Sequence, residues 1–156
     1  MKGQAAGEQP FVISVFRLAS VARRSFAGRM AEEHWAKDAG MRQGCFAVLR
    51  TVAADPGSLS QRDLSVRLGI DPSDIVGLVD DLERAGYLAR RRDATDRRRY
   101  ALDITTSGHD ALDRFNRVAE ASSEAVLAGL SASDRAELAR LLGLVLASDE
   151  LGTVAS

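Results

Sequence analysis

Six arginines fall within ten residues (Arg90, Arg91, Arg92, Arg97, Arg98 and Arg99), against only two acids, Asp93 and Asp96. On a chain of net charge −1 this is a local basic patch on a near-neutral background. The guanidinium fork matches phosphate oxygens. The chemistry this cluster could do is therefore polyanion contact, not bond making.

Other reactive side chains are sparse. Cys45 is the single cysteine, which excludes an intrachain disulfide and any cysteine-based zinc finger. His34 and His109 are the only histidines, and no metal-ligand spacing includes them. The serine-rich stretch Ala121 to Ala125 forms no Ser-His-acid arrangement by spacing, and no glycine-rich loop follows a strand to cradle phosphate. No catalytic residue, metal or cofactor is expected, and an enzyme would need a further domain. Cys45 falls on an apolar helix face and reads as a buried thiol, although Arg42 lies one helical turn away. His34, Trp35, Cys45 and Phe46 could line an aromatic ligand pocket. The competing reading makes Trp35 packing and His34 a surface residue.

These residues need elements to position them. The 156 residues, 46% hydrophobic, suffice for one packed core. Phe11, Val15, Leu18, Ala22, Phe26 and Met30 recur at helical spacing, so residues 11–39 read as one long helix stopped at Gly40. A second helix runs from Met41 to Ala54 and ends at Asp55-Pro56-Gly57. Ser60 and Asp63 form a capping box for a short helix that ends near Gly69. Asp71 as N-cap and Pro72 at the first helical position open the next, which closes at Gly86. Tyr87 to Arg92 and Arg99 to Ile104 read as two strands around the basic tip. Helical patterning resumes from Thr106 to Gly129, and Ser131 with Asp134 caps a last helix to about Ser148. No apolar run approaches the roughly 20 residues of a membrane span. Met1 to Pro10 is polar, without the apolar stretch of a signal peptide, so a cytoplasmic location and no membrane partner are expected.

Two short helices joined at Gly69, followed by a basic hairpin, match the winged helix-turn-helix plan. The second helix of the pair would enter a major groove, and the hairpin would follow the phosphate backbone or insert arginine into the minor groove. From Leu64 to Gly108 the chain resembles the multiple-antibiotic-resistance-regulator (MarR) family of transcription factors. The likeness rests on Leu82, Glu83 and Gly86 closing the recognition helix, on Asp96 and Arg98 in the wing, and on Ile104, Thr105 and Gly108 leading into the next helix.

The fold implied is mainly α with a small β-hairpin, a winged helix-turn-helix whose long N- and C-terminal helices form a dimerisation lobe. Residues 1–40 would be the N-terminal dimerisation helix, 41–105 the DNA-binding lobe and 106–150 the C-terminal dimerisation helices. The resemblance implies a homodimer on a pseudo-palindromic duplex. It also implies a repressor released by a small, often phenolic, aromatic effector or by oxidation of a cysteine. The DNA-contacting candidates are Gln61, Arg62, Ser73, Asp74, Val76, Gly77, Arg90, Asp96, Arg97, Arg98 and Arg99. Arg98 would reach the minor groove, buttressed by Asp96.

The sequence departs from the family in its recognition helix. Asp74, Asp80, Asp81 and Glu83 lie there, Gly77 stands where a basic residue is common, and Arg84 is the one cation, at the far end. Carboxylates repel phosphates, which moves the expected affinity toward the wing and toward Gln61 and Arg62. The same acidity suggests an alternative, a winged-helix module whose acidic helix docks another protein. Strongly salt-dependent duplex binding would separate the two.

Overall fold

The computed structural model describes residues 10–92 and 100–152, and within them seven helices and one hairpin. In chain order these are α1 (Phe11–Glu32), α2 (His34–Asp38), α3 (Gln43–Ala54), α4 (Gln61–Leu68), α5 (Pro72–Arg84), β1 (Leu88–Arg92), β2 (Tyr100–Ile104), α6 (Thr106–Val126) and α7 (Ala132–Gly152). The architecture is a winged helix-turn-helix carried between long terminal helices.

The capping signals act where the sequence puts them. Ser60 Oγ accepts from the Asp63 N–H while the Asp63 carboxylate accepts from the Ser60 N–H, starting α4. Asp71 accepts from the Ser73 N–H at 2.8 Å and Pro72 opens α5. Gly69 and Gly86 carry left-handed φ angles of 60° and 76°. That conformation is strained for side-chain-bearing residues, so glycine ends both helices cheaply.

The long N-terminal helix is interrupted, contrary to the expectation of one helix to residue 39. Glu33 is extended (φ −79°, ψ 108°), separating α1 from α2. The cause is tertiary. Trp35 Nε1 donates to Glu33 Oε2 at 2.7 Å, and the indole meets Phe115 edge-on at 5.0 Å between ring centroids. Ala36 is buried beside it. An unbroken helix would not place these two residues against α6 in this way.

The core lies beneath α3, α4, α5 and the hairpin. Val48, Leu49, Val52, Leu64, Ile75, Val79, Leu82, Leu102 and Phe115 are fully buried. Along α5 the buried residues Ile75, Leu78, Val79 and Leu82 occupy one face, as helical periodicity requires. The strands pair antiparallel, Leu88 with Ile104 through Arg92 with Tyr100. Gly57 and Leu59 add backbone bonds to Leu102 on the other side of β2, fastening the α3–α4 loop to the wing.

The terminal elements are different in character. α1 packs on α6. Phe11, Phe16, Leu144, Val145 and Leu146, on α1 and α7, are all more than half exposed. No described helix is long and apolar enough to cross a membrane.

The joint between wing and α6 is tight. Thr105 Oγ1 accepts from the Gly108 N–H at 2.9 Å and donates to the Gly86 carbonyl at 2.7 Å. A Cβ on Gly108 would stand 2.1 Å from the Tyr87 carbonyl oxygen, a backbone atom that cannot swing aside. Gly108→Ala is therefore expected to cost about 3 kcal/mol or more, the upper range for overpacking. Thermal denaturation checks this, and an unchanged midpoint would show that the joint yields.

Candidate nucleic-acid interface

The solvent face of α5 is built by the 3.6-residue period that buries its other side. Ser73, Gly77, Asp80 and Arg84, spaced by four, three and four residues, lie opposite the buried stripe. Val76, at 45% exposure, and Glu83 flank this row on one side, and Asp74 and Asp81 on the other.

The acidity of this helix is largely cancelled by arginines from neighbouring elements. On one flank Arg90 of β1 donates to Asp80 at 2.5 Å and to Glu83. On the other, Arg42, the N-cap residue of α3, donates from Nε to Asp81 Oδ2 at 2.7 Å. Arg84 adds a bond to Asp81 Oδ1 at 3.0 Å. Burial alone would raise the Asp81 pKa, but the hydrogen bonds from Arg42 and Arg84 outweigh it and hold the carboxyl below its ordinary range.

The candidate DNA contacts are distributed unevenly. Ser73, Asp74 and Val76 are exposed on α5, although Ser73 Oγ is engaged by the Asp71 carboxylate at 2.6 Å. Arg62 is exposed near the start of α4. Gln61 is half-buried beside it, and its Nε2 is buried without a hydrogen-bond partner among the described residues. Arg90 is mostly buried against α5, its charge taken up by two carboxylates. Asp96, Arg97, Arg98 and Arg99 lie outside the described residues. On the wing strands Arg92 is exposed and Arg91 pairs with Asp103.

The four residues considered for a ligand pocket do not share one cleft. His34 is exposed, and Cys45 is fully buried in the core, where burial raises its thiol pKa. Phe115 contacts both Trp35 and Phe46, which face different clefts. The Trp35 cleft, of about 400 Å³, lies between the α1–α2 junction and α6, and is lined by Arg29, Glu32, Glu33, Trp35, Arg114, Arg117, Val118 and Ala121. The Arg114 guanidinium carbon sits 5.8 Å from the Trp35 ring centroid, within cation–π range.

Sequence reasoning did not single out Arg42 as part of the DNA-facing surface, or Arg29, Arg114 and Arg117 as a cleft. A glycine in mid-helix costs about 1 kcal/mol relative to alanine. Gly77 was in that respect a signal that something packs over it.

A helix-turn-helix whose exposed recognition face is bracketed by arginines and followed by a basic wing defines a DNA-binding regulator. Comparison with known proteins agrees. The model of the MarR family matches residues 39–99. A transcriptional regulatory protein for the hcr operon of Thauera aromatica is 34% identical over 140 residues, spanning 90% of this chain and 80% of the relative. The crystal structure of MarR superposes with a TM-score of 0.77 at 22% identity, covering 97% of each chain. The Mycobacterium tuberculosis MarR family protein Rv2887 in complex with salicylic acid gives 0.72 at 25% identity, over 90% of this chain and 99% of the other. Rv2887 has also been crystallised with DNA. The chain belongs to the MarR family of transcriptional regulators. It is a DNA-binding regulator and not an enzyme.

Two outcomes follow from the ion pairs. Arg90→Met leaves Asp80 and Glu83 without their shared cation. It is expected to lower stability by about 1 kcal/mol and to weaken duplex binding; an unchanged melting curve with unchanged affinity would make the pair ornamental. Asp81 has a lowered native pKa, so its contribution is complete above the unfolded-state pKa and is lost as pH falls through the native value. Asp81→Asn should therefore flatten the fall in melting temperature on the acid side of the ordinary carboxylate range. An acid limb identical to that of the parent would contradict this.

Proposed function

We propose that this regulator is a homodimeric repressor that leaves a pseudo-palindromic operator when a small aromatic carboxylate binds between the α1–α2 junction and α6. The observation that carries the reading is the Trp35 cleft. Three arginines there offer a carboxylate charge-assisted hydrogen bonds, and the indole offers an apolar wall with its N–H already engaged by Glu33. An anion there would sit among Arg29, Arg114 and Arg117, three cations against the two carboxylates, Glu32 and Glu33, that share the lining. The salicylic acid complex of Rv2887 shows that this fold can take such a ligand.

Homodimerisation is supported by the apolar residues that α1 and α7 leave in water. Exposed apolar surface of this extent marks an association site. Two copies related by a twofold axis would present two α5 helices to half-sites about one helical turn apart. Under this reading residues 1–40 and 106–150 form the dimerisation lobe and 41–105 the DNA-binding lobe. The cleft lies within the dimerisation lobe, between the α1–α2 junction and α6, where a ligand with unequal affinity for two helix spacings shifts their populations.

The protein-docking alternative rested on an acidic α5. Asp80, Asp81 and Glu83 are all paired with arginine, so the acidic face that it requires is largely neutralised.

The test is fluorescence anisotropy with duplex from the region flanking the chain's own gene, against scrambled duplex, at two salt concentrations with and without salicylate. Expected is sequence-preferring binding that weakens steeply with salt and is released by salicylate, with Arg114→Ala binding the duplex but insensitive to the ligand. Equal release of parent and Arg114→Ala would take the cleft out of the account. No release by salicylate or benzoate would end the aromatic-carboxylate reading.

A further inference from the structure

We infer that Arg42 serves as the base-reading arginine of the recognition helix, although it belongs to a different helix, and that it reads a guanine in the major groove. This rests on DNA binding by the winged-helix lobe and names a residue that carries its specificity.

The argument begins at Gly77. It is the sixth residue of α5 and lies in the centre of the exposed row, in the N-terminal half of the helix. In helix-turn-helix proteins that half makes the base contacts. A side chain is missing at the position where the helix would approach the base edges most closely.

The space is filled from outside. A Cβ built on Gly77 would stand 2.8 Å from Arg42 Nη2 and 3.8 Å from both Cζ and Nη1. The guanidinium therefore lies directly on the backbone of the recognition helix. It remains 51% exposed by side chain, so it reaches solvent across that face instead of being buried beneath it.

Asp81 fixes its orientation. It accepts from Nε at 2.7 Å, and the two Nη groups hold no hydrogen bond among the described residues. A guanidinium tethered through Nε is held in one plane with its paired Nη donors unspent. Those donors in a fixed plane are what bidentate contact with guanine O6 and N7 requires. Arg84 shares the Asp81 carboxylate through its other oxygen, which helps hold that carboxylate in place. Asp81, unfavourable if unpaired near DNA, is here the positioning residue. Gly77 is the vacancy that admits Arg42.

The experiment is selection from a pool of random-sequence duplexes, using the full-length parent, Arg42→Ala, Gly77→Ala, Asp81→Asn and Arg42→Ala in an Asp81→Asn background. Melting temperatures are measured alongside. The parent should enrich a half-site with a guanine that Arg42→Ala no longer prefers. On the parent's selected duplex, Arg42→Ala should bind about tenfold more weakly, while scrambled duplex is bound nearly as before. Gly77→Ala should fold at least as stably as the parent, because alanine is the better helix former, yet lose the same guanine by displacing the guanidinium. The amide oxygen of Asp81→Asn can still accept from Nε, so in that background Arg42→Ala should still lower affinity relative to Asp81→Asn alone.

Identical selected sites for parent and Arg42→Ala would overturn the inference. So would an equal loss on scrambled duplex, which marks a phosphate contact, or a loss that disappears in the Asp81→Asn background, which marks mere neutralisation of the carboxylate. Failure of the parent to bind any duplex in a salt-dependent way would instead overturn DNA binding itself, and this inference with it.

Discussion

A helix that must lie against phosphates cannot leave its acidity unanswered, and of the four carboxylates on α5, Asp74, Asp80, Asp81 and Glu83, the last three meet an arginine. The surrounding structure follows from how that charge is met. Arg90 reaches in from β1 on one flank and Arg42 from the start of α3 on the other. Each is mostly or partly withdrawn from water, so the pairs are less screened than two side chains meeting freely in solvent. Burial of Ile75, Leu78, Val79 and Leu82 fixes which side of α5 faces inward. The ionic flanks then resist rotation about that inward face, because turning the helix either way stretches one of the two arginine contacts. Charge neutralisation and helix orientation are accomplished by the same atoms.

This arrangement redistributes the work expected of the wing. Arg90 belongs by sequence to the basic cluster and by structure to the recognition helix. Arg91 is similarly committed to Asp103 across the hairpin. A cluster that reads as uniform in sequence therefore divides: its first members hold the hairpin and α5 together, and Arg92 remains exposed. Counting local charge overstates the cations available to DNA when the acids that bind them lie on another element.

Local features of this chain were legible in its sequence. Helix starts at Ser60, Asp71 and Ser131, and left-handed stops at Gly69 and Gly86, are decided by interactions within about four residues. The strands and the family-like helix pair followed from them. The break at Glu33 was not legible, because its cause is Trp35 packing on Phe115 from α6. The pairing of Arg42 with Asp81 spans 39 residues. Likewise the Trp35 cleft draws its arginines from α1 and α6, which nothing in the local pattern brings together. Local capping fixes most element ends, whereas the break at Glu33 and the candidate sites depend on which faces of those elements meet.

One of those meetings bears on how a ligand in the cleft could act on DNA. Arg114 lies nine residues beyond Thr105, roughly 13 Å along α6. At the near end of that helix, Gly108 lets the backbone rest on the Tyr87 carbonyl with no side chain between them, and Thr105 bonds the Gly86 carbonyl. A close-packed backbone contact offers little slack, so a displacement of α6 is carried into the α5–β1 turn. Arg90 then links β1 to α5, and the DNA-facing elements move as one body. Ligand binding under the proposed mechanism would accordingly leave the internal geometry of each reading head unchanged and alter the distance between the two heads of a dimer. A rigid operator is sensitive to that distance, because half-site spacing is set by the helical repeat of the DNA and not by the protein.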